Sequence, residues 1–134
     1  ILDDTIELLD NLGHIKFSED KQLLSFKINK FISNKNIKNV YLKDHPTSKR
    51  LNYLGKLVKN KKIIKIKKKI PLELYIENFE YCIFSNTSTF YYKHNIRMYN
   101  ISKVIKFDKE DNKKNYFRLL NKSSKYNYKK INFF

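Results

Sequence analysis

The sequence predicts an α/β domain built on a mostly parallel sheet flanked by helices. Short β-branched and aromatic runs alternate with segments whose apolar residues recur at helical spacing. The alternation extends over most of the 134 residues, a length suited to one domain. Hydrophobic residues make up 41% and aromatics 15%, enough to form a core and unlike the composition of disordered chains.

Ile1-Leu2 reads as the end of a strand that leads into Asp3-Asp4. Residues 19–33 carry Leu24, Ile28, Phe31 and Ile32 at helical spacing behind Ser18, a candidate cap. A turn at Asn34-Lys35-Asn36 precedes a strand over Asn39–Lys43, which delivers Asp44-His45-Pro46 at its carboxyl end. Ser48 is expected to cap a helix through Asn60, with Leu51, Leu54 and Val58 on one face. A short strand follows over Ile63–Ile66. Pro71 suits the first turn of a helix bearing Leu72, Tyr75, Ile76 and Phe79. Tyr81–Phe84 reads as a strand, Ser85–Thr89 as a polar run before a short aromatic helix, and Lys103–Phe107 as a fourth strand. Residues 112–122 read as a C-terminal helix. The expected organisation is one domain over residues 1–122 and a basic aromatic tail over 123–134. With only two glycines and two prolines, turns are left mostly to Asn, Ser, Lys and Asp.

The formal net charge of +16 attracts polyanions: nucleic acid, an anionic membrane or phosphate-bearing ligands. An AT-rich genome would also scatter lysines along a chain, so charge alone names no partner. The single cysteine, Cys82, excludes an internal disulfide and a Cys-rich zinc site, and its apolar neighbours predict a buried structural thiol. No apolar stretch approaches the ~20 residues that span a bilayer. No signal peptide is read in the sequence, and the reducing cytoplasm is the expected compartment. The opening Ile1-Leu2-Asp3-Asp4 is expected to lie inside a longer protein.

Two polar clusters fall at carboxyl ends of expected strands, where open α/β sheets bind ligands. One is Lys43-Asp44-His45-Pro46. Histidine, with an ordinary pKa near ~6.5, can give a proton to a phosphate oxygen at neutral pH. A plain turn explains His45-Pro46 equally simply. The other cluster is Ser85-Asn86-Thr87-Ser88-Thr89, which is expected to open a helix, a setting that binds anions, or to supply only a cap. Glu73, in the first turn of its expected helix, suits either the helix dipole or the vicinal hydroxyls of a ribose. Asp3-Asp4 at a strand end suits either a general base or a helix cap. His14 and His94 have no comparable neighbours. Asp108–Asp111 reads as a solvated turn, and there is no Gly-rich phosphate loop, no His-Glu-x-x-His and no acidic pair placed for a metal-dependent transferase.

Taken in order, Asp3-Asp4, Lys43-x-His45-Pro46, Pro71-x-Glu73 and Thr87-Ser88-Thr89 resemble the motifs of bacterial sialyltransferases of GT-B type. The resemblance is to glycosyltransferase family 52, the lipooligosaccharide sialyltransferases, and to the related capsular polysialyltransferases. Glu73 lies 28 residues and Ser88 43 residues after His45, gaps like those of the family. The resemblance covers roughly residues 1–108. It implies a Rossmann-like domain, the C-terminal, nucleotide-binding half of a GT-B fold. It further implies metal-independent, inverting transfer of sialic acid from CMP-sialic acid to a hydroxyl of a surface glycan. Asp3 would be the general base and His45 the group that hydrogen-bonds or protonates the departing phosphate. Thr87, Ser88 and Thr89 would hold that phosphate, Glu73 the ribose, and Lys43 with Pro46 the surroundings of the nucleotide. No cofactor or metal is implied beyond the CMP-sialic acid donor.

Thr5 departs from the family, which has Gly after its acid pair. A full enzyme needs a second domain with the acceptor between the two, so this chain alone is expected to bind nucleotide weakly and turn over little. Two alternatives stand beside this reading: a domain using another nucleotide sugar, and a basic nucleic-acid-binding module, disfavoured because no familiar nucleic-acid signature is present. The tail, with Tyr126, Tyr128, Lys129, Lys130, Phe133 and Phe134, is expected either to contact the anionic inner membrane peripherally or to be disordered.

Overall fold

The structure, a computed structural model, describes residues 1–4, 15–16, 20–47, 53–85, 95–124 and 132–134. In chain order the regular elements are β1 (Leu2–Asp4), β2 (Ile15–Lys16), α1 (Asp20–Asn34), β3 (Val40–Asp44), β4 (Ile63–Lys65), β5 (Tyr81–Phe84), β6 (Arg97–Asn100), β7 (Lys106–Phe107), α2 (Glu110–Ser124) and β8 (Asn132–Phe133). Six of the strands form one sheet in the order β4-β3-β1-β5-β6-β8, and every pairing in it is parallel. β2 and β7 form a separate antiparallel pair.

A parallel sheet is covered on both faces, and its strands are apolar on both sides. Leu2, Val40, Leu42 and Ile83 join Leu24, Ile28 and Ile32 of α1 in one core layer, together with Leu54 and Leu57. Cys82, Phe84 and Met98 point to the other face, where Leu72, Ile76 and Leu120 of α2 cover them. Cys82 is fully buried. The side-chain alternation of a strand thus assigns neighbours in sequence, such as Ile83 and Phe84, to opposite layers. Each fully buried Leu, Ile or Phe contributes about 1.5–3 kcal/mol.

The connections differ from expectation in four places. Residues 71–79 form two 3-10 turns, Leu72–Leu74 and Ile76–Asn78, rather than one α-helix. Their hydrogen bonds close three residues apart, as in Tyr75 N–H to Leu72 O and Phe79 N–H to Ile76 O. Only Leu72 and Ile76 are buried, while Leu74 is exposed. So short an apolar stripe does not repay helix nucleation. Of the expected helix behind Ser48, the described part is the 3-10 turn Leu54–Leu57; residues 48–52 lie outside the described residues.

The expected strand over Lys103–Phe107 is strand only at Lys106–Phe107, and a 3-10 turn occupies Ser102–Val104. Ile101, Val104 and Ile105 are all buried, and that spacing of three and four belongs to a helical turn, not to a pleat. Asp108–Asp111 opens α2 instead of forming a free turn. Asn112 Nδ2 donates to Asp108 Oδ1 at 2.8 Å, which holds the Asp108 carboxyl below the usual carboxylate range. Glu110 and Asp111 occupy the first helical turn, where the helix dipole favours acids.

Asn36 and Asn60 take positive φ values of 50° and 59°, the left-handed turns that a glycine-poor chain assigns to asparagine. At the other end of the chain, β8 pairs with β6, and Phe134 N–H donates to Asn100 O at 3.1 Å. Phe133 and Phe134 are half-buried. Phe134 packs on Phe31, 5.3 Å between ring centroids, and Lys103 Nζ stands 4.4 Å over the Phe133 ring. These two rings therefore serve the sheet; residues 125–131 lie outside the described residues.

Candidate functional site

Numbered by order along the chain within the sheet, the strands run 3-2-1-4-5-6. The direction of winding reverses between β1 and β5: β1 continues through α1 to β3 on one side, and β5 continues to β6 on the other. In open α/β sheets ligands bind in the crevice outside the carboxyl ends of the strands at such a reversal. Register aligns Asp3 with Lys43 on one side and with Phe84 on the other. Three of the four motif positions thus lead off one row: β1 carries Asp3-Asp4, β3 runs into His45-Pro46, and β5 runs into Ser85 and the Ser/Thr run. β3 and β5 stand about 10 Å apart, two strand spacings. Thr87, Ser88 and Thr89 lie outside the described residues.

Lys43 is buried, at 3% exposure. A buried ammonium is costly unless it is hydrogen-bonded. Its Nζ donates to Asp44 O and to Lys68 O, both at 2.8 Å. The first carbonyl immediately precedes His45, and the second lies on the segment that leads into Pro71 and Glu73. One cation therefore ties the His-Pro turn to the Pro-x-Glu segment. Glu73 is half-buried in the 3-10 turn Leu72–Leu74, and the expected α-helical first turn for it is corrected accordingly.

His45 is half-buried directly after β3. Thr47 N–H donates to His45 Nδ1 at 3.3 Å, and the Thr47 hydroxyl lies 2.8 Å from the same nitrogen. A backbone N–H can only donate, so Nδ1 accepts and the neutral ring carries its proton on Nε2. The turn through exposed Pro46 thus presets the tautomer whose outer nitrogen is a donor, the form that an anionic oxygen needs.

On the far side of the row, a buried polar knot anchors the exit of β5. Ser85 and Asn100 are fully buried. Asn100 Nδ2 donates to Ser85 O at 2.9 Å and to the Tyr116 hydroxyl at 3.1 Å. Its Oδ1 accepts from Ser102 N–H at 2.8 Å and from the Ser102 hydroxyl. The Tyr116 hydroxyl in turn donates to Ser85 O. Every hydrogen-bonding position of the Asn100 amide is used. Ser85 is thereby a structural member of the Ser/Thr run, the fixed base from which residues 86–89 depart. From the sequence, Tyr116 is expected only as a residue of the C-terminal helix, and Asn100 and Ser102 are not singled out. A polar Asn within Met98-Tyr99-Asn100 was the available signal, because an amide buried in a strand requires partners.

Burial pushes the Tyr116 hydroxyl up to about 12, with the Asn100 and Ser102 hydrogen bonds acting in the opposite direction. The folded state therefore holds this proton more tightly than the unfolded chain does. Its contribution is complete below pH ~10, the ordinary tyrosine value, and is lost as pH rises toward about 12. Stability should fall across that window by roughly 3 kcal/mol through this group, from about 1.4 kcal/mol per unit of pKa. Urea unfolding at pH values on either side of the window, compared between the native protein and Tyr116→Phe, measures it. A variant that loses as much stability as the native protein would contradict the assignment.

Two clefts among the described residues lie away from this edge. One, of 340 Å³, opens at the amino ends of β1, β3 and β5 between Asn39, Tyr41 and Tyr81. The other, of 670 Å³, lies against α1. No protein-family model, no curated protein and no solved structure matches the chain.

Proposed function

We propose that this chain is the nucleotide-binding half of a GT-B-type sialyltransferase, a Rossmann-like domain that holds the CMP moiety of CMP-sialic acid at the carboxyl edge of its sheet. The observation that carries the reading is the single row Lys43–Asp3–Phe84, from which three sequence-distant motifs leave side by side at the winding reversal. The strand order 3-2-1-4-5-6 is that of dinucleotide-binding Rossmann folds. α1 and Leu54–Leu57 cover one face together with Ile101, Val104 and Ile105, and Leu72, Ile76 and α2 cover the other, so both faces of the sheet are covered, as in doubly wound sheets.

In this reading the Asp3 carboxylate takes the proton of the acceptor hydroxyl. The hydroxyl oxygen then attacks the anomeric carbon of sialic acid from the face opposite CMP. The bond from that carbon to the phosphate oxygen breaks, its electron pair stays with CMP, and configuration inverts. The Nε2 proton of His45 hydrogen-bonds or transfers to the departing phosphate oxygen. The hydroxyls of Thr87, Ser88 and Thr89 complete the set of donors, Glu73 accepts from the ribose hydroxyls, and Pro46 holds the turn. Preorganised donors aimed at developing charge are the largest single source of rate in such reactions, each worth ~10²–10³-fold. The glycan acceptor lies between this domain and a second one, and the site of action is the cytoplasmic side of the membrane.

A titration followed by calorimetry or NMR, with CMP against UMP and ADP, tests the reading. Selective CMP binding, weakened tenfold or more by His45→Ala and by Ser88→Ala, is the expected result. A preference for UMP or ADP would move the assignment to a transferase of another nucleotide sugar. Binding of CMP that ignores both substitutions would remove the site from this edge.

A further inference from the structure

α1 has an outer face that the sheet does not use. The helix buries Leu24, Ile28 and Ile32, yet Leu23 is 46% and Phe26 62% exposed, three residues apart on the side turned away from the core. Four lysines line the cleft beside Phe26. Lys21 and Lys30 come from α1 itself; Lys56 and Lys59 come from the segment around Leu57. That segment is fastened to the helix by three hydrogen bonds: Ser25 Oγ to Leu57 O at 2.8 Å, Asn29 Nδ2 to Leu57 O at 2.7 Å, and Lys59 N–H to Asn29 Oδ1 at 2.7 Å. The lysine backbones are therefore held in fixed relation to Phe26. The 670 Å³ cleft between the two segments has no acidic residue among its described lining.

We propose that this face docks the protein on an anionic lipid bilayer, with Leu23 and Phe26 entering the boundary between headgroups and acyl chains. The lysines face the lipid phosphates. Basic helix faces that carry Phe and Leu bind membrane interfaces by this combination of apolar insertion and surface charge. Single-stranded nucleic acid fits less well. It needs a succession of aromatic platforms for its bases, and here one ring stands beside an aliphatic Leu23 that cannot stack a base. The inference is independent of the nucleotide reading, because it uses none of the residues assigned to that site.

The chain contains no tryptophan, so Phe26→Trp introduces a lone reporter. Vesicles of phosphatidylcholine, with and without phosphatidylglycerol, are added to the whole chain, and binding is read by flotation. Binding only to the phosphatidylglycerol vesicles is expected, weakened by salt, with a blue shift of the Phe26→Trp emission. The pair Leu23→Ser and Phe26→Ser, both at exposed positions, should lower vesicle affinity at least tenfold without changing the thermal transition. Lys30→Gln and Lys56→Gln should each lower it roughly fivefold at low ionic strength. Absence of binding to the anionic vesicles overturns the proposal, as does binding that the Leu23 and Phe26 changes leave intact. Tighter, Phe26-dependent binding to oligothymidylate than to vesicles would assign the face to nucleic acid instead.

Discussion

Asn100→Ala should destabilise the domain by about 3 kcal/mol or more, a large part of the 5–15 kcal/mol that a domain of this kind has in total. The amide is fully buried and makes four hydrogen bonds, two as donor and two as acceptor. Its removal leaves Ser102 N–H and the Ser102 hydroxyl without that acceptor inside the protein, and each buried orphan costs about 1–3 kcal/mol. Ser85 O keeps the Tyr116 hydroxyl, so the knot is weakened at one corner rather than dissolved. Asn100→Asp should be at least as damaging, because a carboxylate oxygen would replace the donor that faces Ser85 O. Urea denaturation followed by circular dichroism measures both. A loss below 1 kcal/mol for Asn100→Ala would mean that water replaces the amide without cost.

The second large effect is expected at Lys43. Lys43→Met keeps the apolar stem but removes the ammonium that joins Asp44 O to Lys68 O. The chain should still fold, with a loss of about 1–3 kcal/mol for the two carbonyls that lose a charged donor. Under the proposed function CMP affinity should fall by roughly tenfold or more, since the His45 turn and the Glu73 segment lose their common anchor; tenfold corresponds to ~1.4 kcal/mol. Lys43→Arg separates charge from shape, because a planar guanidinium does not reproduce the approach of a compact ammonium to two carbonyls. Restored stability without restored CMP binding would identify geometry, not charge, as the contribution. CMP affinity untouched by Lys43→Met would exclude the clamp from the binding site.

Much of this was legible in residue patterns, and the failures have physical causes. Val40-Tyr41-Leu42 and Tyr81–Phe84 are β-branched and aromatic runs that are strands in the structure. The spacing of Leu24, Ile28 and Ile32 announces α1, which is displaced by one residue from the expected range. β6 was not legible, because Arg97 and Asn100 are poor strand formers alone, and tertiary context supplies what they lack: a neighbour strand on each side and partners for the amide. β8 is two residues of a lysine-rich tail, too short for any period. At the candidate site, His45 and Lys43 were legible as residues at a strand end, but the burial of Lys43 and its bridge to Lys68 join positions 25 apart and leave no local trace. Asn100 carries a local signal as an amide beside Met98-Tyr99, but its partners Ser85 and Tyr116 lie 15 and 16 residues away, so the knot they form is not legible locally.

The arrangement of the sheet also sets the order in which the protein can be made. β1, the earliest described strand, occupies an interior position and pairs with β5, whose Ile83 lies 81 residues beyond Leu2. During synthesis β1 can find β3 first, but its second neighbour emerges only after two crossovers and the segment that passes to the opposite face. Until then β1 has one open edge, and Leu2 lacks Ile83 from its core layer. Parallel pairing across such separations makes folding slow, because loop-closure entropy is spent before the contacts that offset it can form. The interval before β5 arrives is the period of greatest exposure to aggregation. Substitutions that weaken β5, rather than those that weaken the early β1–β3 pair, should therefore lower the yield of folded protein most.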